Sequence, residues 1–427
     1  MNKKNTLKNI ISSFLSILIG LYFSTSILDK LEYSFLNNSS KIITIIICIV
    51  FIIYIVLSPK KFMKYFFKKN KIKYLIILFF CILLISNIYV LVFTSYQTKS
   101  DFIALLQLLI ISGLILSIDF SDKNISILTK IWIFSSLLIA ILVINYNMDN
   151  INRNKIIFLN GYYDPNILSA SLIPALLIAL NYTISYIKNK LLFITYFFTF
   201  VLILISIVIT GSRGSLIGAL IGIIFLLLHI IKTTRLSRNI LHSKRNIFML
   251  LIGIGLIFCM IIIFVPQETL IRFNPVRLIV DGGSARIQIW TKALNIFFDS
   301  NPIKIIFGFG TGTFKFIAGT NIVQADGWIS ANIASHNIFI RVLFENGFLG
   351  LVILVIIFYV LITTFVKNKE FLSLSIIASY LVIGMTLDLT ITRYLWNAII
   401  FTIISSNALI NNLSYKKIWF RNMFNKK

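Results

Sequence analysis

Arg213 stands in Thr-Gly-Ser-Arg-Gly-Ser, residues 210–215, and is the single formal charge between Leu191 and Ile231. A helix rises about 1.5 Å per residue, so this run as one helix would reach roughly 60 Å, about twice the hydrocarbon core of a bilayer. It therefore crosses twice and turns at Gly211-Ser212-Arg213-Gly214. An arginine beside lipid is costly. A snorkelling side chain at a helix end is one reading. The neighbours supply a second. Gly211 and Gly214 let backbone approach a ligand, and Ser212 and Ser215 add hydroxyl donors. The first N–H groups of the following helix favour an anion. Together these suit a phosphate at headgroup depth.

A second cation lies in "DGGSARIQIWTKALNIFFDS", 281–300. Ser284 is the expected N-cap, with Ile287, Trp290, Leu294 and Phe297 on one helical face. Arg286 falls in the first turn, either solvated or a second phosphate ligand whose planar fork grips two oxygens. "ASHNIFIRVLFENGFLG", 334–350, carries His336. With Ser335 as N-cap, His336 takes the first helical position, where the helix dipole favours the neutral imidazole that a general base needs. A structural histidine is the alternative. Glu345 follows Arg341 by four residues, which predicts an ion pair between them rather than a carboxylate orienting His336. "FGFGTGTFKF", 307–316, lacks the Gly-Lys-Ser/Thr of a phosphate loop and reads as a turn with aromatic edges. Trp290, Phe314 and Trp328 either stack on sugar rings or pack the loop down. "NGYYDPNIL", 160–168, places a turn and helix start at Asp164-Pro165-Asn166.

The elements that must position these residues are membrane spans. Apolar residues make up 58% of the 427 and charged residues 13%, which excludes a soluble domain. The net charge of +26 lies in short loops between apolar segments, so nucleic acid is not the expected partner. Cys48, Cys81 and Cys259 all fall in apolar segments, and neither a disulfide framework nor a metal site is expected. The first apolar stretch is read as a retained span rather than a cleaved signal.

Twelve spans are predicted, at about 9–28, 42–58, 74–95, 102–118, 127–146, 166–186, 191–210, 214–231, 247–265, 347–366, 371–388 and 394–411. Alternate loops on one side hold 26 of the 40 lysines and arginines, and 11 of the 14 acidic residues lie on the other. By the positive-inside rule both termini are cytoplasmic and the long loop faces outward. The expected organisation is an all-α polytopic membrane protein: a bundle of about nine spans over 1–265, a large outer loop over 266–335, and three spans with a basic tail over 336–427.

"DPN" before a span, "TGSRGSLIG" at a span junction, "GGSARIQIW" early in the outer loop and "SHNIFIRVLFENGFLG" at its end occur in that order. This set, covering about 160–365, resembles the O-antigen ligase and O-antigen polymerase family. "LDLTITRYLW", 387–396, fits that family's late outer turn more loosely. The resemblance implies a GT-C-like membrane glycosyltransferase in a bacterial cytoplasmic membrane. Such enzymes move a glycan from undecaprenyl pyrophosphate to an acceptor at the outer face, without cofactor or metal. It implies that Arg213 and Arg286 bind the pyrophosphate and that His336 activates the acceptor hydroxyl. Ser212, Asn166, Arg341, Glu345 and Arg393 are supporting positions. Expected partners are the lipid-linked oligosaccharide, membrane lipid, a chain-length regulator and a flippase. The Ile-, Lys- and Asn-rich composition suggests an AT-rich, Gram-positive source and so favours a polymerase. A ligase to a lipid A core is the same chemistry with another acceptor. A lipid-linked glycan flippase is the reading from another class, but it predicts charges within spans and no large outer loop.

Overall fold

The computed structural model describes residues 3–25, 39–67, 70–96, 98–118, 120–147, 156–158, 161–233, 286–320, 322–323, 329–330 and 333–411. The helices are α1 Lys3–Thr25, α2 Ser39–Leu57, α3 Pro59–Phe66, α4 Lys71–Phe93, α5 Lys99–Ile115, α6 Asp122–Asn147, α7 Pro165–Ser185, α8 Lys190–Ile209, α9 Arg213–Thr233, α10 Arg286–Phe298, α11 Pro302–Phe307, α12 Phe314–Ile317, α13 Ile338–Asn368, α14 Phe371–Gly384 and α15 Arg393–Asn411. Five of them, α4, α6, α7, α8 and α13, are long and apolar enough to cross a membrane, and α1, α2, α9 and α14 carry shorter apolar stretches.

Eleven of the twelve expected spans fall on described helices; the ninth, 247–265, lies outside the described residues. Two departures from an all-helical chain are short antiparallel ladders, β1 Ile156–Phe158 with β2 Gly161–Tyr163, and β3 Ile322–Val323 with β4 Ile329–Ser330.

Asparagine starts many of these helices. Asn70, Asn189, Asn301 and Asn337 each accept hydrogen bonds from the first turn of α4, α8, α11 and α13, and Asp164 does the same for α7. Each side chain satisfies N–H groups that a helix start leaves without partners.

One contiguous core runs through the bundle, with Trp132, Trp396, Tyr22 and Tyr380 among its largest fully buried side chains. A second, separate core gathers Ile289, Ala293, Phe297, Phe314, Ala318 and Phe344 beneath α10 and α12.

The tightest helix pair joins α9 to α14. Gly214, Gly218 and Gly222 recur every four residues and form a stripe that faces Thr386, Ile383 and Ser379 in descending order, so the two helices run antiparallel. A Cβ on Gly218 would lie 2.6 Å from Ile383 Cγ1 and 3.0 Å from the Ser379 carbonyl oxygen. Between membrane helices, where lipid supplies no hydrophobic drive, such close approach is a main source of adhesion.

α13 starts at Ile338, two residues after the expected helix start at His336, and it bends at 347, where the span was predicted to begin. Gly347 there takes φ 64°, ψ −166°. The break leaves carbonyls in the turn before it needing donors, and the glycine-rich loop supplies them. Phe309 N donates to Phe344 O (3.0 Å) and Gly310 N to Glu345 O (2.8 Å). A side chain at Gly347 would run into the backbone of Ile306 and Phe307. The loop is further pinned to α4 and α13, through Asn87 Nδ2 to Thr311 O (2.9 Å) and Asn346 Nδ2 to Thr311 Oγ1 (2.7 Å).

Gly218→Leu should destabilise the protein by roughly 1–3 kcal/mol through overpacking. Gly113→Ala, in α5 with nothing within 4 Å of the added carbon, should be neutral or stabilising. Relative melting temperatures in one detergent check both.

Candidate active site

The 210–215 turn is built as the sequence suggests, but its small residues do other work. Gly211 takes φ 63° after α8, and its N–H donates to Val208 O (2.9 Å). α9 then begins at Arg213. Gly214 does not face a ligand: a Cβ there would lie 2.8 Å from Thr386 Cβ, so the glycine serves helix packing. Ser212 and Ser215 are buried and already engaged. Ser212 Oγ donates to Asn166 Oδ1 (2.8 Å) and lies 3.1 Å from Ser215 Oγ, which donates to Asn166 O (3.4 Å). The hydroxyls expected to be ligand donors instead tie the start of α9 to the start of α7. Asp164, as the cap of α7, is thereby held beside Arg213's turn, accepting from Asn166 N at 2.8 Å.

His336 is not the first residue of its helix. Asn337 is the N-cap, its side chain accepting from Phe339 N (2.9 Å) and Ile340 N (3.2 Å). His336 precedes it in the left-handed region at φ 50°. Ser335 Oγ accepts from Asn337 N (3.3 Å) and donates to Asn337 O (3.0 Å), closing a tight turn around the histidine. Ser335 is engaged in that turn, which leaves the cap to Asn337. The helix dipole therefore no longer accounts for a neutral imidazole.

Burial does. It holds His336 below the ordinary histidine range, and the Arg286 guanidinium pushes the same way; Asp388 and Asp164 offset this only in part. Three residues far apart in sequence thus bear on one imidazole.

Arg286 opens α10, whose expected N-cap Ser284 lies outside the described residues. The helix is rotated from its expected seating: Ile289, Ala293 and Phe297 are buried, while Ile287 points outward. The aromatics dictate this, because Phe297 is drawn into the second core against Phe348 while Trp290 reaches across to the 335 turn. Trp290 Nε1 donates to Ser335 O at 2.8 Å and so fixes the residue before His336. Phe314 is buried against Phe344 and packs the loop rather than offering a sugar platform. Trp328 lies outside the described residues.

Burial and then the Arg213 charge lower Arg286 from the ordinary arginine range. Among the described residues Arg286 Nε is buried without a hydrogen-bond partner. Two guanidiniums that repel one another, one with a buried N–H left over, mark a place where an anion would be welcome.

The Arg341–Glu345 ion pair is present, with Nε to Oε2 at 2.9 Å. It belongs to a larger cluster that the sequence did not disclose. Arg341 Nη1 lies 2.6 Å from Asp388 Oδ2, and Nη2 lies 3.8 Å from Asp101 Oδ2. The other oxygen of Glu345 accepts from Phe314 N (3.0 Å). Asp388 sits in the quoted "LDLTITRYLW", so a signal existed, but no spacing rule links residue 388 to 336. Arg393 Nη2 donates to Gln107 Oε1 (2.9 Å), and its guanidinium lies over the Tyr22 ring at 5.8 Å.

Residues 198–355 match the family model described as O-antigen ligase. The matched stretch runs from α8 into α13 and contains Arg213, Arg286, His336, Arg341 and Glu345. It supports the resemblance to the O-antigen ligase and polymerase family that the motifs carry. No curated protein matches the chain.

The His336 imidazole should titrate below about 6.5, the ordinary histidine value. A lowered value leaves the neutral ring dominant at pH 7, with charging only as the pH falls further. Arg286→Gln removes one of the depressing charges and should move the midpoint upward. Imidazole NMR titration, assigned against His336→Gln, measures both.

Proposed function

We propose that this chain is a membrane polysaccharide polymerase. It transfers a glycan from undecaprenyl pyrophosphate to a sugar hydroxyl of another lipid-linked repeat unit at the outer membrane face. The observation that carries the reading is the buried Arg286 N–H left without a partner, on a guanidinium whose charge is felt by both Arg213 and His336.

In this reading the two arginines hold the pyrophosphate of the donor. His336 takes the proton from the acceptor hydroxyl as its oxygen attacks the anomeric carbon. The new glycosidic bond forms, the bond from that carbon to the phosphate oxygen breaks, and its electron pair leaves on the pyrophosphate. Arginine's bidentate grip on the departing oxygens stabilises the charge that develops there. Asp164 and Asp388 stabilise the imidazolium once the proton arrives. Donor binding also adjusts the base: a pyrophosphate screens the arginine charge that depresses His336, so the imidazole becomes more basic when the donor is in place.

A ligase acting on a different acceptor is the second reading, favoured by the description of the matched family. The two part in one assay. Purified protein given only the lipid-linked repeat unit should build a polymer ladder; a ligase would require a separate acceptor.

Arg213→Lys and Arg286→Lys should each recover little activity, since a point charge does not reproduce the fork. His336→Gln should bind donor like the wild type and lose about 10²–10⁴-fold in transfer rate. Donor affinity and product yield on purified variants test this, and full activity of the double lysine variant would defeat the pyrophosphate assignment. For orientation, Asn295→Cys should label with an impermeant thiol reagent in intact cells and Lys64→Cys should not.

A further inference from the structure

The surface beside Arg286 is more apolar than water would favour. α10 divides its exposed side in two. Gln288, Thr291 and Asn295 form a polar strip. Ile287 and Phe298, 64% and 56% exposed, lie along the adjoining edge, three helical turns apart on one line. The turn Asp299-Ser300-Asn301 leads into α11, where Ile303 and Phe307 are 70% and 57% exposed and Ile306 is exposed as well. α11 packs on α13 at its bend: the Gly347 backbone abuts Ile306 and Phe307, and Phe297 of α10 meets the ring of Phe348 at 5.9 Å. Phe348 is itself exposed and begins the outward-facing apolar stripe that continues down α13 through Val352. α13 is one of the helices long and apolar enough to cross a membrane, so that stripe faces lipid. The exposed apolar side chains of α11 adjoin it at the bend, and those of α10 lie across the Asp299-Ser300-Asn301 turn, whose Asp299 and Asn301 are exposed.

We propose that the α10–α11 hairpin dips into the bilayer, with Ile287, Phe298, Ile303, Ile306 and Phe307 among the acyl chains of the leaflet at the site's end of the bundle. The occupant is bilayer lipid, because exposed Ile306 and Phe307 abut the Gly347 bend at which the lipid-facing stripe of α13 begins with Phe348. An interfacial helix of this kind seats its apolar face about 5–10 Å into the headgroup and acyl boundary while its polar strip stays wet. Lys304 suits that depth, its ammonium resting over the Phe309 ring at 4.7 Å. Arg286 immediately precedes Ile287, so the depth of the hairpin sets the depth of the guanidinium. The inference concerns placement in the membrane and does not rest on the glycosyl-transfer reading.

Nitroxide labels test it on the full chain in lipid nanodiscs, with Cys48, Cys81 and Cys259 replaced by alanine. Single cysteines go at Phe298, Ile303 and Phe307, with Asn295 on the polar strip as control. Collision with oxygen, which concentrates in lipid, is compared with collision with a water-soluble nickel chelate. Labels at 298, 303 and 307 should favour oxygen, and the label at 295 the nickel complex. Within α10 the contrast arises between two positions three residues apart, so it cannot come from global misfolding. If 298, 303 and 307 meet the nickel complex as readily as 295 does, the hairpin lies in water and the proposal fails. If they meet neither reagent, protein covers the face and the proposal fails equally.

Discussion

The guanidinium of Arg341 organises the site's end of the molecule. A buried charge must be paired, or it costs several kcal/mol. Arg341 meets that demand by drawing Glu345 from its own helix and Asp388 from the turn after α14, with Asp101 of α5 at longer range. Each carboxylate then holds something else. Glu345 fixes the start of α12 through Phe314 N, and Asp388 accepts from Thr390 N (3.3 Å) within its turn. The electrostatic surroundings of His336 follow, since Asp388 bears on the imidazole from the position that Arg341 assigns to it. Removing one carboxylate would unsettle the glycine-rich loop or the turn at 388 as much as the ion pair.

The parts of the site that were legible in the sequence are those governed by local rules. The length of the 191–231 run forced a turn at Arg213, and the spacing of Arg341 and Glu345 forced their pairing. Asp164-Pro165-Asn166 is a helix start for the reason its residue types give. What escaped was decided by competition or by long range. Both Ser335 and Asn337 are capable caps, and only the three-dimensional turn shows that Ser335 is spent on holding Asn337. α10 has two possible apolar faces; which one is buried depends on Phe344 and Phe314, which lie well downstream. Asp388 meets Arg341 and His336 because α14 returns antiparallel to α9, and no sequence spacing encodes that return.

The sequence holds one further signal. Gly214, Gly218 and Gly222 repeat every four residues, a pattern that marks close helix packing in membranes. Beside an arginine, Gly214 reads as room for a ligand. The structure gives the glycine to Thr386. Glycine beside a functional residue can thus serve the scaffold instead of the substrate, and the four-residue repeat is what tells the two apart.

The two cores have a mechanical consequence. Arg213 is rooted, through Ser212, Ser215 and the glycine stripe, in the main core that also carries the 388 turn. Arg286 is rooted in the small core beneath α10 and α12. Like charge pushes the two arginines apart, and the side chains that anchor them belong to two clusters joined by α13, which sends Phe344 into one and Val342 into the other. An anion gripped by both would turn that repulsion into attraction and act as a strut between the clusters. Stiffness at this end of the protein would then belong to the loaded complex more than to the empty chain.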